Sequence, residues 1–405
     1  MQSATVDDLD PIERERLRRA VERYRGDTSL VGLDDRDLDG ALGLIRREDG
    51  QPVPTVAGLL LIGRESALRQ HLPTHEVAFQ VLRGTEVRVN DFYRLPLVAA
   101  FERVEEQFSA RLVEEELQVG LFRVPVPQVD RRAFRESVVN ALTHRDYTRL
   151  GAVHVRWQDE TLIVSNPGGF VDGVSLENLL VVEPRPRNPL LADALKRIGL
   201  AERTGRGVDL IFKGLLRYGR PAPNYRRSDA NSVVVELSCA DADLDFLKLV
   251  LDEEQRLGTS IPIDTLLVLS RLREEKRLDV NVIAQTIQKD VPAARAVLER
   301  LVEAGLVEAH GVKKGRTYTM SARLYRRLGE PASYVRQAGF DPLQQEQMVR
   351  SFVREHGSIK RGDVVDLCRV SVHQAKRLLG KLVEEGALVR TGVGKATRYE
   401  RGQNL

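Results

Sequence analysis

The feature that most constrains this chain is an internal repeat beyond residue 240. Leu301-Val302-Glu303-Ala304-Gly305 recurs 81 residues later as Leu382-Val383-Glu384-Glu385-Gly386. Leu306-Val307 is matched by Ala387-Leu388, Val291 by Val372 and Tyr318 by Tyr399. Self-similarity at a fixed spacing means two copies of one supersecondary unit. Each copy reads as helix, helix, a third helix ending at Gly, then a hairpin. Gly305 and Gly386 suit the helix-ending position that favours positive φ. The hairpin turns carry Gly311 and Gly315 in the first copy and Gly392 and Gly394 in the second.

That order of elements is a winged helix-turn-helix, expected at 245–330 and again at 338–405. The whole chain has 405 residues, and a single core stops growing near 250–300 residues, so further domains must precede the repeat. The acidic run Asp241–Asp245, following Pro221 and Pro223, places a boundary near residue 240. The expected divisions are an α/β connecting region at 1–125 and a second α/β domain at 126–240. The longest apolar run, Val56–Ile62, falls far short of the roughly 18 residues of a membrane span. The N-terminus has no apolar signal region, and Cys239 and Cys368 are isolated in sequence, as suits a reducing compartment. A cytoplasmic protein is expected. The formal charge is +3, from 62 Lys+Arg and 59 Asp+Glu, too small to announce a nucleic-acid binder. The total hides an asymmetry: residues 1–240 carry 34 Lys+Arg against 36 Asp+Glu, whereas residues 331–405 carry 13 against 8.

In the front part, Leu9–Arg25 reads as a charged helix with Ile12, Leu17 and Val21 on one side, and Val53–Gly63 as a buried helix or strand. His75–Leu82 alternates like a strand, and Phe92–Leu117 has a long helical pattern. His71 and His75 are four apart, but Pro73 between them breaks the helix that a metal-binding pair would need. Phe134–Tyr147 is the most informative helix. Phe134, Val138, Ala141 and Leu142 make an apolar stripe that must face a core, and Asp130 is placed to cap it. Strands are expected at 152–157, 161–165 and 232–238, and helices at 190–198 and from Thr204-Gly205-Arg206-Gly207 to about Tyr218.

Glu136 and Asn140, four apart, share the face opposite that stripe. Most such pairs are only a solvated surface. Here Asn is a poor mid-helix residue, His144 continues the face, and two glycine loops follow. A carboxylate beside a carboxamide suits ATP chemistry: Glu136 as base for an attacking water, Asn140 as an oxygen ligand to Mg2+. Gly168 and Gly169 follow a strand, where absence of Cβ admits a base or ribose. Gly205 and Gly207 open a helix, whose free N–H groups favour phosphate. Arg185 and Arg187, between the loops, either clamp phosphates or solvate a loop.

Taken in order, FRESVVNALTHRDY, VSNPGG and RNPLLADALKRIGLAERTGRGVDLI resemble the GHKL-type ATP-binding domain that follows a Schlafen/AlbA-like domain in "RecG-related, C-terminal" proteins. The similarity spans about Phe134 to Leu237. It implies a Bergerat-type α/β sandwich, which with the two winged helices read from the repeat makes an α+β chain. Within it Glu136 and Asn140 would be the nucleotide-box pair, Gly168 and Gly169 the adenine-side loop, and Gly205 and Gly207 the phosphate-side loop. His144 and Arg187 join the expected nucleotide contacts. Asn166 stands near the position where that family normally has Asp; its carbonyl oxygen can accept the same adenine hydrogen bond without a charge. Longer family members carry the AlbA-like domain first, so this chain is expected either to be a short form or to work with a partner chain. No G-x-x-x-x-G-K-[ST] loop occurs, which excludes a P-loop motor.

In a helix-turn-helix the third helix presents its first residues to base edges. The second copy offers His373, Gln374, Lys376 and Arg377 there, with Lys395 and Arg398 on its wing. The first offers Ala293, Ala294 and Arg295, with Lys313, Lys314 and Arg316 on its wing. The expectation is a homo-oligomeric transcriptional regulator that binds ATP with Mg2+ and double-stranded DNA, with slow ATP hydrolysis at most. The rivals are a winged-helix DNA-binding protein on a non-catalytic GHKL-like scaffold, and a subunit beside a DNA-binding partner chain.

Overall fold

A computed structural model describes residues 4–119, 122–202, 204–311, 315–328, 342–368, 370–392 and 397–405. Asp10 accepts from the Ile12 amide at 2.8 Å and Pro11 sits at the first helical position, which together start α1 (Pro11–Arg23). Its inward face is Arg14, Leu17, Ala20 and Val21; Ile12, read as part of that face, is exposed. Arg14 grips both carboxylate oxygens of Asp39, at 2.9 Å each, on α2 (Asp35–Ala41). The hairpin β1 (Ile45–Glu48) and β2 (Gln51–Pro54) leads to α3 (Val56–Ile62), the helical form of the apolar segment, and then to α4 (Glu65–His71). His71 ends α4, while His75 is buried with Nε2 2.7 Å from the Leu95 carbonyl.

The helical pattern read over Phe92–Leu117 divides into three elements. Phe92 lies in β4 (Glu86–Tyr93), which pairs with β3 (Val77–Arg83); α5 is Leu97–Ser109; Leu117 lies in the hairpin β5 (Glu114–Val119) and β6 (Phe122–Pro127). Pro96 sets the start of α5, because a proline cannot continue a helix from the residues before it. Inside α5 the period holds, and Leu97, Phe101, Val104 and Phe108 are all buried.

α6 (Arg131–His144) is capped by Asp130, which accepts from the Arg132 and Ala133 amides at 2.9 Å. Phe134, Val138, Ala141 and Leu142 are buried as the stripe requires, and the Phe134 ring stacks on Phe108 with centroids 3.7 Å apart. Next come β7 (Val153–Gln158), β8 (Thr161–Pro167), α7 (Pro189–Ile198), α8 (Gly207–Leu216) and β9 (Ser232–Ser238). The sheet order is β4-β3-β7-β8-β9, with β3 and β7 parallel and the other pairs antiparallel. α6 lies on β7 and β8 and packs against α8. That packing is close: a Cβ at Gly214 would lie 2.6 Å from the Cβ of Ala133, and one at Gly207 would lie 1.8 Å from Oε1 of Glu136. One hydrophobic core runs from Ala4 to Cys239, and the sheet spans the division expected at 125/126, because β3, with β4 on its outer side, pairs directly with β7.

Beyond α9 (Leu244–Leu257) the repeat is visible element by element. The first copy has α10 (Ile263–Glu275), β10 (Leu278–Asp279), α11 (Val280–Thr286), α12 (Val291–Glu303), β11 (Val307–His310) and β12 (Thr317–Met320). After α13 (Ala322–Arg327), the second has α14 (Pro342–His356), β13 (Ser358–Ile359), α15 (Arg361–Cys368), α16 (Val372–Glu384), β14 (Leu388–Thr391) and β15 (Arg398–Arg401). The two antiparallel sheets share one order, β10-β12-β11 and β13-β15-β14, and one register: Ala309 opposite Tyr318, Arg390 opposite Tyr399. Gly305 and Gly386 have φ of +68° and +70°. The chain forms two units, 1–271 with 281–297, and 272–280 with 298–405. Among the described residues no helix is long and apolar enough to cross a membrane.

Gly214→Ala places a methyl group into the side chains of Ala133 and Asp130. It is expected to cost about 1–3 kcal/mol of stability, measured as a lowered denaturant midpoint, whereas Gly380→Ala, where a Cβ meets nothing within 4 Å, should not destabilise.

Candidate functional site

The polar face of α6 forms a wall of a cavity of about 590 Å³, within the range of small-molecule sites. Glu136, Asn140, Thr143 and His144 line it from α6, and Asn166 lines it from the end of β8. The segment 170–186 makes another wall, and Lys196 of α7 with Gly205, Arg206 and Gly207 at the start of α8 completes that end. Glu136 is only 4% exposed. Burial pushes its carboxyl up to about 7; Arg135 opposes this and Glu202 adds to it. A carboxyl that titrates near neutrality can take up and release a proton at working pH. His144 is pushed the other way, down to about 4, by burial and then by Arg187, so its imidazole is neutral. Tyr225, partly buried, has its phenol pushed up by desolvation and by the neighbouring Glu136.

At the start of α8 the backbone donors already have an anion. The Arg206 amide donates to Glu202 Oε2 at 3.0 Å, and the Thr204 hydroxyl donates to the same carboxylate. Burial would raise Glu202, but the backbone groups of Thr204, Arg206 and Gly205 outweigh it and hold the carboxylate below its usual range. The helix end therefore stabilises negative charge, in the direction expected for N–H groups at a helix N-terminus.

The structure brings together Glu136, Asn140, His144, Asn166, Gly169, Gly205 and Gly207 around one cavity. The Asn166 Nδ2 donates to the Pro167 carbonyl at 3.1 Å and reaches the Gly168 carbonyl at 3.5 Å, which fixes the amide's orientation and leaves its carbonyl oxygen as the end open to a donor. Gly168 is not among the lining residues. Its φ is +95°, and a Cβ would meet that of Asp146 at 2.8 Å, so its role is the turn. Arg187 also stands back from the cavity: Nε donates to the His144 carbonyl at 3.0 Å and Nη2 to the Gly169 carbonyl at 2.8 Å. Gly207 lets α8 approach Glu136, a packing function beyond the phosphate contact expected of it.

In the second repeat His373, Gln374, Lys376 and Arg377 are exposed at the start of α16, opposite the buried Ala375, Leu379 and Leu382. Gln374 also closes a capping box with Ser371. Arg398 and Arg316 are exposed, the latter 5.6 Å from the Tyr318 ring. Lys313, Lys314 and Lys395 lie outside the described residues. In the first repeat Ala294 is fully buried and cannot offer itself to a base; it occupies the place that Ala375 holds in the second.

Sequence reasoning missed Thr143, Lys196, Glu202, Tyr225, Asp264 and Lys289, all of which line the cavity. Thr143 carried a usable signal, one turn from Asn140 on the same face; its buried hydroxyl has no hydrogen-bond partner. The others are remote in sequence, and only folding brings them to α6. Among the described residues no cluster of three or more His, Cys, Asp or Glu side chains could hold a metal.

Three family models match parts of the chain. One described as "Putative ATP-dependent DNA helicase recG C-terminal" matches residues 151–237, a "Domain of unknown function" matches 1–78, and "DNA glycosylase AlkZ-like" matches 250–403. The first agrees with the resemblance read from residues 134–237, although α6 itself lies before its span. No curated protein matches the chain. Among solved structures, the DIP2311 protein from Corynebacterium diphtheriae is similar with a TM-score of 0.65 and 24% identity, over 98% of this chain and 68% of that one. This likeness shows a shared mixed α+β fold.

The titration of Glu136 has a sign. Its folded value, about 7, lies above the ordinary 4.5, so the folded state holds the proton more tightly. Its contribution to stability is full below about 4.5 and is lost as pH rises through 7. Glu136→Gln should therefore be more stable than wild type at pH 8 by about 1–3 kcal/mol, with the gap closing at pH 4, in denaturant titrations at both pH values. His144, lowered from 6.5 to about 4, works oppositely: its contribution is full above 6.5 and lost toward 4.

Proposed function

We propose that this chain binds ATP with Mg2+ in the α6–α8 cavity and double-stranded DNA through its second C-terminal repeat, as a regulator in which nucleotide occupancy controls winged-helix modules. On this reading 126–240 is a GHKL-like nucleotide domain, set on the 1–125 region, and 245–330 and 338–405 are winged helices. The observation that carries the reading is the convergence of Glu136, Asn140 and the start of α8 on one cavity, in a chain whose residues 151–237 match a helicase-associated ATPase-like family. The residues fit the ligand. Asn166 presents a carbonyl oxygen for an adenine amino group, Thr143 has a buried unpartnered hydroxyl, and Lys196 and Arg206 stand at the phosphate end. Bound Mg2+ would neutralise phosphate charge, with Asn140 as its protein ligand. If ATP is hydrolysed, Glu136 is the group to orient and deprotonate water, and its raised pKa suits that task.

For DNA, the exposed His373, Lys376 and Arg377 are the base- and phosphate-facing set, with Arg398 on the wing. A second reading is favoured by the match of residues 250–403 to an AlkZ-like glycosylase family: the DNA recognised is damaged DNA, and the chain serves repair. Release of an alkylated base from duplex DNA by the purified protein supports that reading, and binding without base release supports the regulator. A non-catalytic scaffold is separated from both by nucleotide binding.

At one hundred times its dissociation constant, Mg-ATP should stabilise the wild-type protein by about 2.7 kcal/mol, read as a rise in melting temperature. Asn140→Ala should lose most of that rise; equal affinity for Mg-ATP in the two proteins overturns the site assignment. DNA affinity should fall steeply with salt, and Lys376→Ala with Arg377→Ala should lower the slope of log affinity against log salt by about 2. An affinity indifferent to salt excludes this surface as the contact.

A further inference from the structure

The turn between α11 and α12, Ile287–Lys289, belongs by sequence to the first helix-turn-helix, yet it is built into the cavity. Ile287 and Lys289 line it, together with Pro262, Ile263 and Asp264 from the start of α10. Gln288 has φ of +55°, a backbone region that favours glycine. Its side chain uses both ends of its amide on the segment 170–186: Oε1 accepts from the Leu180 amide at 2.8 Å, and Nε2 donates to the Leu176 carbonyl at 2.9 Å. No residue of another chemistry supplies both bonds with the same reach. A glycine would relieve the backbone and lose the clamp.

Lys289 sets the charge at the same edge. Its Nζ lies 2.6 Å from Asp264 Oδ2. Asp209, in the first turn of α8, also lines the cavity, and its carboxyl is pushed up by burial and by Asp264 while Lys213, Arg206 and Lys289 oppose this. Without Lys289, two carboxylates would face an incoming anion. The turn also borders a groove of about 750 Å³, whose walls include Leu176, Leu179, Asp290 just ahead of α12, and Val291, its first residue. The end of α12 that a reading helix would offer to DNA is therefore turned toward the segment over the cavity.

We propose that the Ile287–Lys289 turn is part of the nucleotide site: Gln288 positions the segment that covers the cavity, and Lys289 admits the polyphosphate by neutralising Asp264 and Asp209. The first repeat is thereby a sensor of the cavity and the second is the DNA reader. The Lys289 half rests on the proposed nucleotide reading; the Gln288 half does not.

The test uses the full chain. Hydrogen exchange of the Leu180 amide, without nucleotide, should speed up at least tenfold in Gln288→Ala and Gln288→Gly, with circular dichroism confirming that both fold. Unchanged exchange in both variants overturns the clamp whatever the cavity binds. Calorimetry with Mg-ATP and with adenosine should show Lys289→Glu weakening Mg-ATP at least tenfold, adenosine by less than twofold, and Lys289→Arg restoring Mg-ATP. Equal losses for the two ligands, or none for Mg-ATP, overturn the role of Lys289. If wild type binds neither ligand, the nucleotide reading and the Lys289 assignment fail together, and the exchange experiment still decides the clamp.

Discussion

α6 is held from both sides, and the site follows from that. On one side Phe134, Val138, Ala141 and Leu142 are buried, with the Phe134 ring stacked on Phe108. On the other, α8 comes so close at Gly207 and Gly214 that ordinary side chains would collide with Glu136 and Ala133. Removing solvent from Glu136 is what moves its carboxyl toward neutrality. A looser crossing would leave the same residue as an ordinary solvated carboxylate. The glycine spacing on α8 thus sets the chemistry of a side chain on a different helix.

The covering segment is tied to this arrangement at its exit and at its middle. The last carbonyls of a helix have no intrahelical donor, and α6 has its own met by the segment's exit: Arg187 donates to the His144 carbonyl, and Asn188 Nδ2 donates to those of Thr143 and Arg145 at 2.8 and 2.9 Å. Further back, Gln288 holds Leu176 and Leu180. Ligand-dependent movement of the segment would therefore be felt by the helix that carries Glu136 and by the turn of the first repeat.

The repeats show how little of a fold's surface its elements decide. α12 and α16 each span 13 residues and lead into hairpins of one register. The second presents His373, Lys376 and Arg377 to solvent, whereas the turn ahead of the first closes a cavity. The two copies share core positions, such as Ala294 and Ala375, and differ at outward ones.

Local chemistry determined much that was legible in the sequence: the apolar stripe of α6 and its Asp130 cap, the pairing of Glu136 with Asn140, the glycine-ended repeat, and the strands near 153–158, 161–167 and 232–238. These depend on periodicity and caps within about a dozen residues. The helical pattern over Phe92–Leu117 misled because Phe92 lies ahead of Pro96, where α5 starts, and Leu117 lies in the strand beyond its end at Ser109. Arg187 was legible as a cation but not as the donor to a helix end. Tertiary structure alone decided that Lys196, Glu202, Tyr225, Asp264 and Lys289 would share a cavity with α6, and that β3 and β4 would complete the sheet of the following region. Contacts between residues so distant along the chain leave no local periodicity; they exist only once burial of the α6 stripe has fixed where its polar face points.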